Sequence, residues 1–293
     1  MKKSTRKIKN IKKLLMFLAL TIYSFQVVIA QNNLQGHECI DIEMPQRGIC
    51  AHRGAMATHP ENTIAAFKEA LRLGVHVIEF DVHWTKDQRF VVIHDHNLDR
   101  TTNGTGDVVD HTLVDLKRLD AGSWKGSQFA GERLPTLEET LEMMPKNVWL
   151  FIDIQFRPHL AAPVAREILR QNRQHQCIIL VRSHKGLEAA RQVDPGVLVC
   201  NMNTPGYDTK NVSDVISHRY NALRFTGFGP PENVQRLKET NVRILFCCLD
   251  GAKNRPSLSQ LFDAGIDFPI VNDPAKAMSA ARKLGIQPLK PVY

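Results

Sequence analysis

Short apolar runs rich in β-branched residues alternate with longer stretches of helical periodicity along most of this chain. This alternation is typical of a parallel sheet whose strands are joined by crossover helices. The stretch from Glu61 to Leu73 shows the helical part, since apolar residues recur there every three to four positions and Gly74 closes it. Nine runs are predicted to be strands: Gly48–His52, His76–Val82, Phe90–His94, Val148–Ile154, Ile178–Val181, Val197–Cys200, Leu223–Phe225, Arg243–Cys248 and Phe268–Val271.

The number of runs and the length of the chain favour an α/β fold in which residues 31–293 form one (β/α)8 TIM barrel. A TIM barrel typically needs about 250 residues. Nine runs exceed eight barrel positions, and the link between Val82 and Phe90 is too short for a crossover helix, so we expect the barrel to be irregular there. An insertion at about 97–135, after the third run, is longer than an ordinary connection and is expected to cover the barrel mouth.

The first thirty residues (1–30) are predicted to be a secretory signal peptide. Met1–Lys13 is rich in lysine and arginine, Leu14–Ala30 is largely apolar, and Ala30 offers the small residue that a signal peptidase needs. We therefore expect an exported protein, periplasmic or secreted. The alternative is an uncleaved leader that anchors the chain, because an apolar run of about 17 residues is borderline for spanning a bilayer.

Charge gives no reason to expect a nucleic-acid or membrane partner. The formal net charge is +8, but seven of the 38 basic residues and none of the 30 acidic ones precede Gln31, which leaves +1 for the mature chain. A nucleic-acid-binding surface would require a basic patch that survives removal of the leader. We expect a small-molecule partner, no nucleic acid, and no stable membrane insertion after signal cleavage.

Ionisable residues end the first four runs, at the edge where a TIM barrel carries its catalytic groups. Glu79 and Asp81 lie two apart and so share one face of their strand, and Asp153 is expected to join them from the fourth run. Three carboxylates this close repel one another unless a cation lies among them, and oxygen ligands suit Mg²⁺ or Ca²⁺ better than zinc. The alternative is that Glu79 and Asp81 pair with basic residues at the rim.

Two histidines and an arginine stand at matching strand ends beside these carboxylates. His52 and His94 can each accept or donate a proton near neutral pH, so a pair can serve as both base and acid. Arg53 offers a fork for two phosphate oxygens. The alternative to phosphate binding is that Arg53 forms a salt bridge to Asp95 or Glu61.

These motifs occur in an order and spacing that resemble those of the glycerophosphodiester phosphodiesterase family. The resemblance is strong over Gly48–Met144 and returns near the carboxyl end. The segments that carry it are His52-Arg53-Gly54, Pro60-Glu61-Asn62-Thr63, Ile78-Glu79-Phe80-Asp81-Val82, Thr85-Lys86-Asp87, Val92-Ile93-His94-Asp95, Leu134-Pro135-Thr136-Leu137-Glu138-Glu139, Gly265-Ile266-Asp267 and Asn272-Asp273-Pro274.

The resemblance implies a metal-dependent hydrolase of lipid metabolism that cleaves glycerophosphodiesters into glycerol 3-phosphate and an alcohol. It implies a barrel with a small family-specific insertion and one divalent cation, Mg²⁺ or Ca²⁺. The implied roles are metal ligation by Glu79, Asp81 and Asp153, acid/base catalysis by His52 and His94, and substrate binding by Arg53, Glu61 and Gln155.

The end of the fourth run departs from the family pattern. Asp153 and Gln155 stand where the family usually has a glutamate and a lysine. Either another base such as Arg182 or Lys185 replaces that lysine, or the substrate is a different phosphodiester such as a lysophospholipid or glycerophosphoinositol. A third reading is a non-catalytic descendant that only binds phosphodiesters.

Overall fold

A computed structural model describes residue 42 and residues 44–202, 208–247 and 256–293. The predicted signal peptide, residues 1–30, lies outside these described residues. Among the residues that are described, no helix has both the length and the apolar character needed to cross a bilayer.

Eight parallel strands form a closed barrel, which confirms the predicted fold class. The first barrel strand pairs with both the second and the last, and this pairing closes the ring. In chain order the strands are β1 (Cys50–His52), β2 (Val77–Trp84), β3 (Phe90–Val92), β4 (Trp149–Asp153), β5 (Cys177–Val181), β6 (Leu198–Asn201), β7 (Ala222–Phe225), β8 (Arg243–Phe246) and β9 (Phe268–Val271), of which all but β3 belong to the barrel.

Helices alternate with the strands and surround the barrel. The α-helices among the described residues are α1 (Ile64–Leu73), α2 (Leu113–Leu116), α3 (Leu137–Met143), α4 (Ala161–Arg170), α5 (His184–Val193), α6 (Thr209–Ser217), α7 (Pro231–Glu239), α8 (Leu258–Asp263) and α9 (Pro274–Lys283). Helix α1 begins where the Thr63 side chain accepts a hydrogen bond from the backbone of Ala66, and it ends at Gly74 in the left-handed conformation.

Strand β3 is the extra, irregular piece that the sequence predicts. Strand β3 folds back antiparallel on β2, with Phe90 opposite Trp84, and contributes no barrel position. The turn at residues 85–89 is long enough for a hairpin but too short for a crossover helix. Strand β4 is therefore the third strand of the barrel, and the segment 97–135 leaves from the hairpin rather than from a barrel strand.

The segment 97–135 packs on β3 through an apolar cluster of its own. Leu98, Val108 and Leu116 from this segment are fully buried against Val91 of β3. This cluster is separate from the barrel core, so the hairpin and the segment form a small accessory layer beside the barrel.

Strand alternation divides the barrel core into an inner and an outer layer. In β4, Trp149 and Phe151 face the barrel interior, whereas Leu150 and Ile152 pack against the helices. The next residue in the inward series is Asp153, at the carboxyl end of the strand. Strand β2 follows the same alternation, which turns its two acidic residues inward.

Gly54 permits the turn after β1 to lie against helix α1. Its φ is +77°, and a Cβ at this position would lie 2.8 Å from the carbonyl carbon of Ala66. Gly131 has a similar φ of +89°, but a Cβ there would meet no atom within 4 Å. The two glycines therefore differ in packing and share a left-handed backbone.

We expect Gly54→Ala to lower the free energy of unfolding more than Gly131→Ala does. The left-handed backbone costs either alanine about 1–2 kcal/mol. The close approach to α1 adds about 1–3 kcal/mol at position 54 only. Urea unfolding of both variants measures the difference, and equal losses would contradict the role given to the contact with Ala66.

Candidate active site

A cavity of about 180 Å³ opens at the carboxyl ends of the barrel strands. Six of the eight predicted site residues line it, and the exceptions are Glu61 and Gln155. The lining residues are His52, Arg53, Glu79, Asp81, His94, Asp153, Leu180, Arg182, Met202, Arg224, Cys247 and Ile270.

Three carboxylates converge on the floor of this cavity. Glu79, Asp81 and Asp153 are 3%, 2% and 6% exposed, and each offers an oxygen within 4.8 Å of the others. Burial, followed by repulsion from neighbouring carboxylates, raises the pKa of Glu79 and of Asp81. Buried oxygen donors that repel one another are a suitable ligand set for a hard divalent cation. These three groups could therefore hold a metal ion.

Arg182, directly after β5, binds the carboxylate of Asp153 with both terminal nitrogens of its guanidinium. The two nitrogen–oxygen distances are 2.5 and 2.8 Å. Each carboxylate oxygen has two lone pairs, so this contact still leaves acceptor capacity for a cation. Of the two bases suggested to replace the family's lysine, Arg182 lines the cavity, whereas Lys185 is exposed and does not.

His52 is held at the end of β1 with one ring nitrogen directed at the carboxylates. Its Nδ1 lies 2.6 Å from Oδ1 of Asn272, and its Nε2 lies 3.9 Å from Oε2 of Glu79. Burial and the charge of Arg53 lower the pKa of His52. A neutral imidazole that donates from Nδ1 to Asn272 keeps Nε2 free to accept a proton.

His94 reaches the cavity from the hairpin of β2 and β3, because the run that it ends lies outside the barrel. Its Nδ1 is 2.6 Å from Oδ1 of Asp95. Its backbone carbonyl accepts hydrogen bonds from Nε2 of Gln155, at 2.7 Å, and from Nε2 of His83, at 3.0 Å. These contacts fix both the ring and the backbone of His94.

Arg53 lies between the carboxylates and a second group of charged residues. Its backbone N–H donates to Glu79 at 3.0 Å, and its side chain donates to Glu61 at 2.7 Å. The alternative pairing of Arg53 with Glu61 is therefore present. Arg100 binds both carboxylate oxygens of Glu61 and continues to Asp95. Glu61 thus lies behind Arg53 and, through Arg100, connects it to Asp95. Asp95 in turn contacts the ring of His94.

Gln155 lies beside the cavity and forms hydrogen bonds with two of the residues that line it. Its side-chain nitrogen donates to Asp81 at 3.1 Å as well as to the carbonyl of His94. Gln155, Arg53 and Asn62 have φ values of 51°, 52° and 58°, and Asn62 also donates to Asp81. Left-handed backbone in residues other than glycine is uncommon, and here it gathers around the carboxylates.

Apart from Arg182, the cavity residues from the second half of the barrel were not predicted from the sequence. They occupy or follow the later strands β5 to β9, at the same rim as the predicted residues. Reading the last positions of each later run would have found them, as it found those of the first runs. They are Leu180, Met202, Arg224, Cys247 and Ile270, together with Asn272, which binds His52.

Residues 52–193 match the family model for the glycerophosphoryl diester phosphodiesterase family. A glycerophosphodiester phosphodiesterase of Caldanaerobacter subterraneus subsp. tengcongensis is 34% identical over 249 residues, which cover 81% of this chain and 98% of that protein. This chain belongs to the glycerophosphodiester phosphodiesterase family. The enzyme of that name from Bacillus subtilis is 29% identical over 283 residues, covering 89% of this chain and 94% of its own.

Solved structures of the family share the fold. A phosphodiesterase of Oleispira antarctica, in complex with the product sn-glycerol-3-phosphate, aligns with a TM-score of 0.69 at 26% identity, over 82% of this chain and 97% of that one. A glycerophosphodiester phosphodiesterase of Agrobacterium tumefaciens aligns with a TM-score of 0.67 at 25% identity, over 82% and 100%. The predicted family is thereby confirmed.

Glu79→Gln tests whether the carboxylates bind a cation. We expect Mg²⁺ or Ca²⁺ to raise the thermal unfolding midpoint of the chelator-treated protein, because an ion that binds only the native state stabilises it by about 2.7 kcal/mol at a hundredfold excess over its dissociation constant. The glutamine variant should lose most of this rise. The exposed Glu142→Gln serves as control, and an undiminished rise in Glu79→Gln would contradict the site.

His83→Gln tests the acid sensitivity of the site. Burial is the main cause that lowers the pKa of His83 to about 4. Between about pH 6.5 and 4 the unfolded chain binds a proton that the native chain does not, so the free energy of unfolding falls as the pH falls, by up to about 1.4 kcal/mol per pH unit from this group.

Removal of His83 should therefore make the decline in stability shallower within that window. Glutamine keeps an N–H donor for the carbonyl of His94. The exposed His175→Gln should leave the decline unchanged. Urea unfolding at a series of pH values measures it, and identical slopes for wild type and His83→Gln would contradict a neutral buried His83.

Proposed function

We propose that this chain hydrolyses glycerophosphodiesters to glycerol 3-phosphate and an alcohol, using His52 and His94 as the acid/base pair and one divalent cation, Mg²⁺ or Ca²⁺. The observation that carries the proposal is the cavity in which both imidazoles meet three buried carboxylates and three guanidinium groups. Such a cavity accommodates a small anionic substrate, and the product complex of the Oleispira antarctica relative supports a glycerol phosphate there.

In the proposed reaction, His52 accepts a proton from the attacking hydroxyl of the substrate's own glycerol. Its Nε2 faces the carboxylates while Nδ1 is engaged by Asn272. His94 then donates a proton to the departing alcohol, with Asp95 orienting its ring. The cyclic phosphate formed in this way is opened by water, and the two histidines exchange roles between the steps.

The carboxylates and the arginines have the remaining roles in the proposed reaction. Glu79, Asp81 and Asp153 would hold the cation, which when bound supplies Lewis-acid activation of the hydroxyl and neutralises charge that develops on phosphoryl oxygens. Arg53 lines the cavity with a guanidinium that suits phosphate oxygens, while its Nε lies 3.4 Å from Oδ2 of Asp81. Arg182 brings the positive charge that Gln155 lacks.

A second candidate substrate is a phosphodiester with an apolar substituent, such as a lysophospholipid. Phe156 is 82% exposed, and Arg182 stacks over its ring at 5.0 Å from the centroid. A neighbouring cavity of about 240 Å³ is lined by Phe156, Ile154 and Pro158 and shares Arg182 with the catalytic one. An acyl chain would find apolar surface there.

The experiment that tests the proposal measures release of glycerol 3-phosphate from glycerophosphocholine, glycerophosphoethanolamine and glycerophosphoinositol, and assays turnover of lysophosphatidylcholine in parallel. Purified protein is treated with chelator and then resupplied with Mg²⁺ or Ca²⁺. Metal-dependent release supports the proposed reaction and ranks the alcohols. Turnover of lysophosphatidylcholine alone would favour the second candidate, and no turnover of any substrate with either metal would contradict both.

We expect His52→Ala and His94→Ala each to lower kcat by about 100-fold or more, because each removes acid/base assistance. The unfolding midpoint should change little, since both side chains border the cavity. His175→Ala, a change at an exposed histidine outside the cavity lining, is the matched control. Near-normal turnover in either cavity variant would contradict the paired-histidine mechanism.

We also propose that the chain is exported, to the periplasm or the exterior, after removal of residues 1–30. The support is the basic and then apolar composition of that leader. Amino-terminal sequencing of the protein from its native host tests this. A mature chain that starts at Gln31 agrees with the proposal, whereas retention of Met1 in the membrane fraction favours an anchored form.

A further inference from the structure

Two histidines and an aspartate meet on the outer surface of the barrel, where helices α5 and α6 adjoin. His184 is the first residue of α5, and Asp214 and His218 lie one turn apart at the end of α6. The two imidazole rings stack with centroids 4.1 Å apart. None of the three residues lines the catalytic cavity, so this cluster is separate from the proposed reaction.

The three side chains are close enough together for one metal ion to reach them all. Nε2 of His184 lies 3.3 Å from one carboxylate oxygen of Asp214, and Nδ1 of His218 lies 3.2 Å from the other. Ligand atoms from all three residues lie within 4.8 Å of one another. In a tetrahedral site with bonds of about 2.0–2.1 Å, donor atoms are about 3.3 Å apart, whereas a charge-assisted hydrogen bond is shorter, at about 2.7–2.9 Å.

Tyr220 supports the ring of His184 from behind. It is only 3% exposed, and its hydroxyl lies 3.1 Å from Nδ1 of His184. A hydroxyl can accept a proton donor at Nδ1, which leaves the lone pair of Nε2 for a metal ion. Histidines that bind metals generally have such an oriented partner on the other ring nitrogen.

The backbone of His218 is fixed as well. Its carbonyl accepts a hydrogen bond from Arg191 of α5 at 2.7 Å, and Arg191 also contacts the carbonyl of Arg219. The cluster therefore joins two helices whose relative position is already set by other contacts. Nδ1 of His218 also lies 3.0 Å from the backbone carbonyl oxygen of Asp214, so this imidazole has to leave that contact when it binds an ion.

We propose that His184, Asp214 and His218 form a second metal site, which binds one Zn²⁺ or a similar borderline divalent ion and ties α5 to α6. Two imidazoles and one carboxylate suit such an ion, whereas the all-carboxylate set in the barrel suits Mg²⁺ or Ca²⁺. The side chains of the three residues are 44%, 37% and 45% exposed, so an ion enters directly from solvent and keeps a water molecule as its fourth ligand.

Calorimetric titration with Zn²⁺ tests the site in metal-stripped protein without a histidine tag and with Mg²⁺ in excess. We expect His184→Gln/His218→Gln to bind one equivalent fewer than wild type. If the double variant folds poorly, Asp214→Asn provides the test instead. This single isosteric surface change should lower the affinity for Zn²⁺. His175→Gln removes an exposed histidine outside the cluster and should bind as wild type does.

Tyr220→Phe separates a metal site from a chance grouping of histidines. Loss of the oriented partner should weaken Zn²⁺ binding about tenfold while the stoichiometry stays unchanged. Unchanged stoichiometry and affinity in the double variant would overturn the proposal. An equal loss of binding in His175→Gln would also overturn it, because zinc would then be binding surface histidines without selectivity.

Discussion

Burial of three carboxylates on two adjacent barrel strands determines the environment of the whole cavity. Removing each ionised group from water costs several kcal/mol unless compensating charges and hydrogen bonds are supplied. Arg53 and Arg182 supply charge to Glu79, Asp81 and Asp153, and neighbouring amides donate hydrogen bonds to them. The polar residues around the cavity therefore have a structural task, stabilising these carboxylates, in addition to any contact with substrate.

Strand register places the reactive groups in one layer. Pairing of β1 with β2 sets His52 opposite Glu79, and pairing of β2 with β4 sets Asp81 opposite Asp153. Because side chains alternate with a period of two, a shift of one residue would turn these groups outward against the helices. The large apolar residues of the inner and outer layers oppose such a shift, so packing of the barrel protects the geometry of the site.

Local sequence patterns predict much of the fold and of the candidate site. Contacts between residues that are distant in the sequence could not be predicted. The shared face of Glu79 and Asp81 follows from the period of a strand, which any single sequence displays. The hydrogen bond between His52 and Asn272 joins residues 220 positions apart, and the pairing of Arg182 with Asp153 joins residues 29 apart. Neither has a local pattern, because each depends on which strand ends the closed barrel brings together.

Gln155 stands where the resemblance to the family implies a lysine, and Arg182 provides positive charge at the same rim. Arg182 enters from the next barrel strand and lies on Asp153, while Gln155 keeps the hydrogen bonds to Asp81 and the carbonyl of His94. Among the described lining residues, the three arginines balance the three carboxylates. In the proposed reaction the divalent cation therefore gives the cavity its net positive charge, and a singly charged phosphodiester is attracted only when that cation is present.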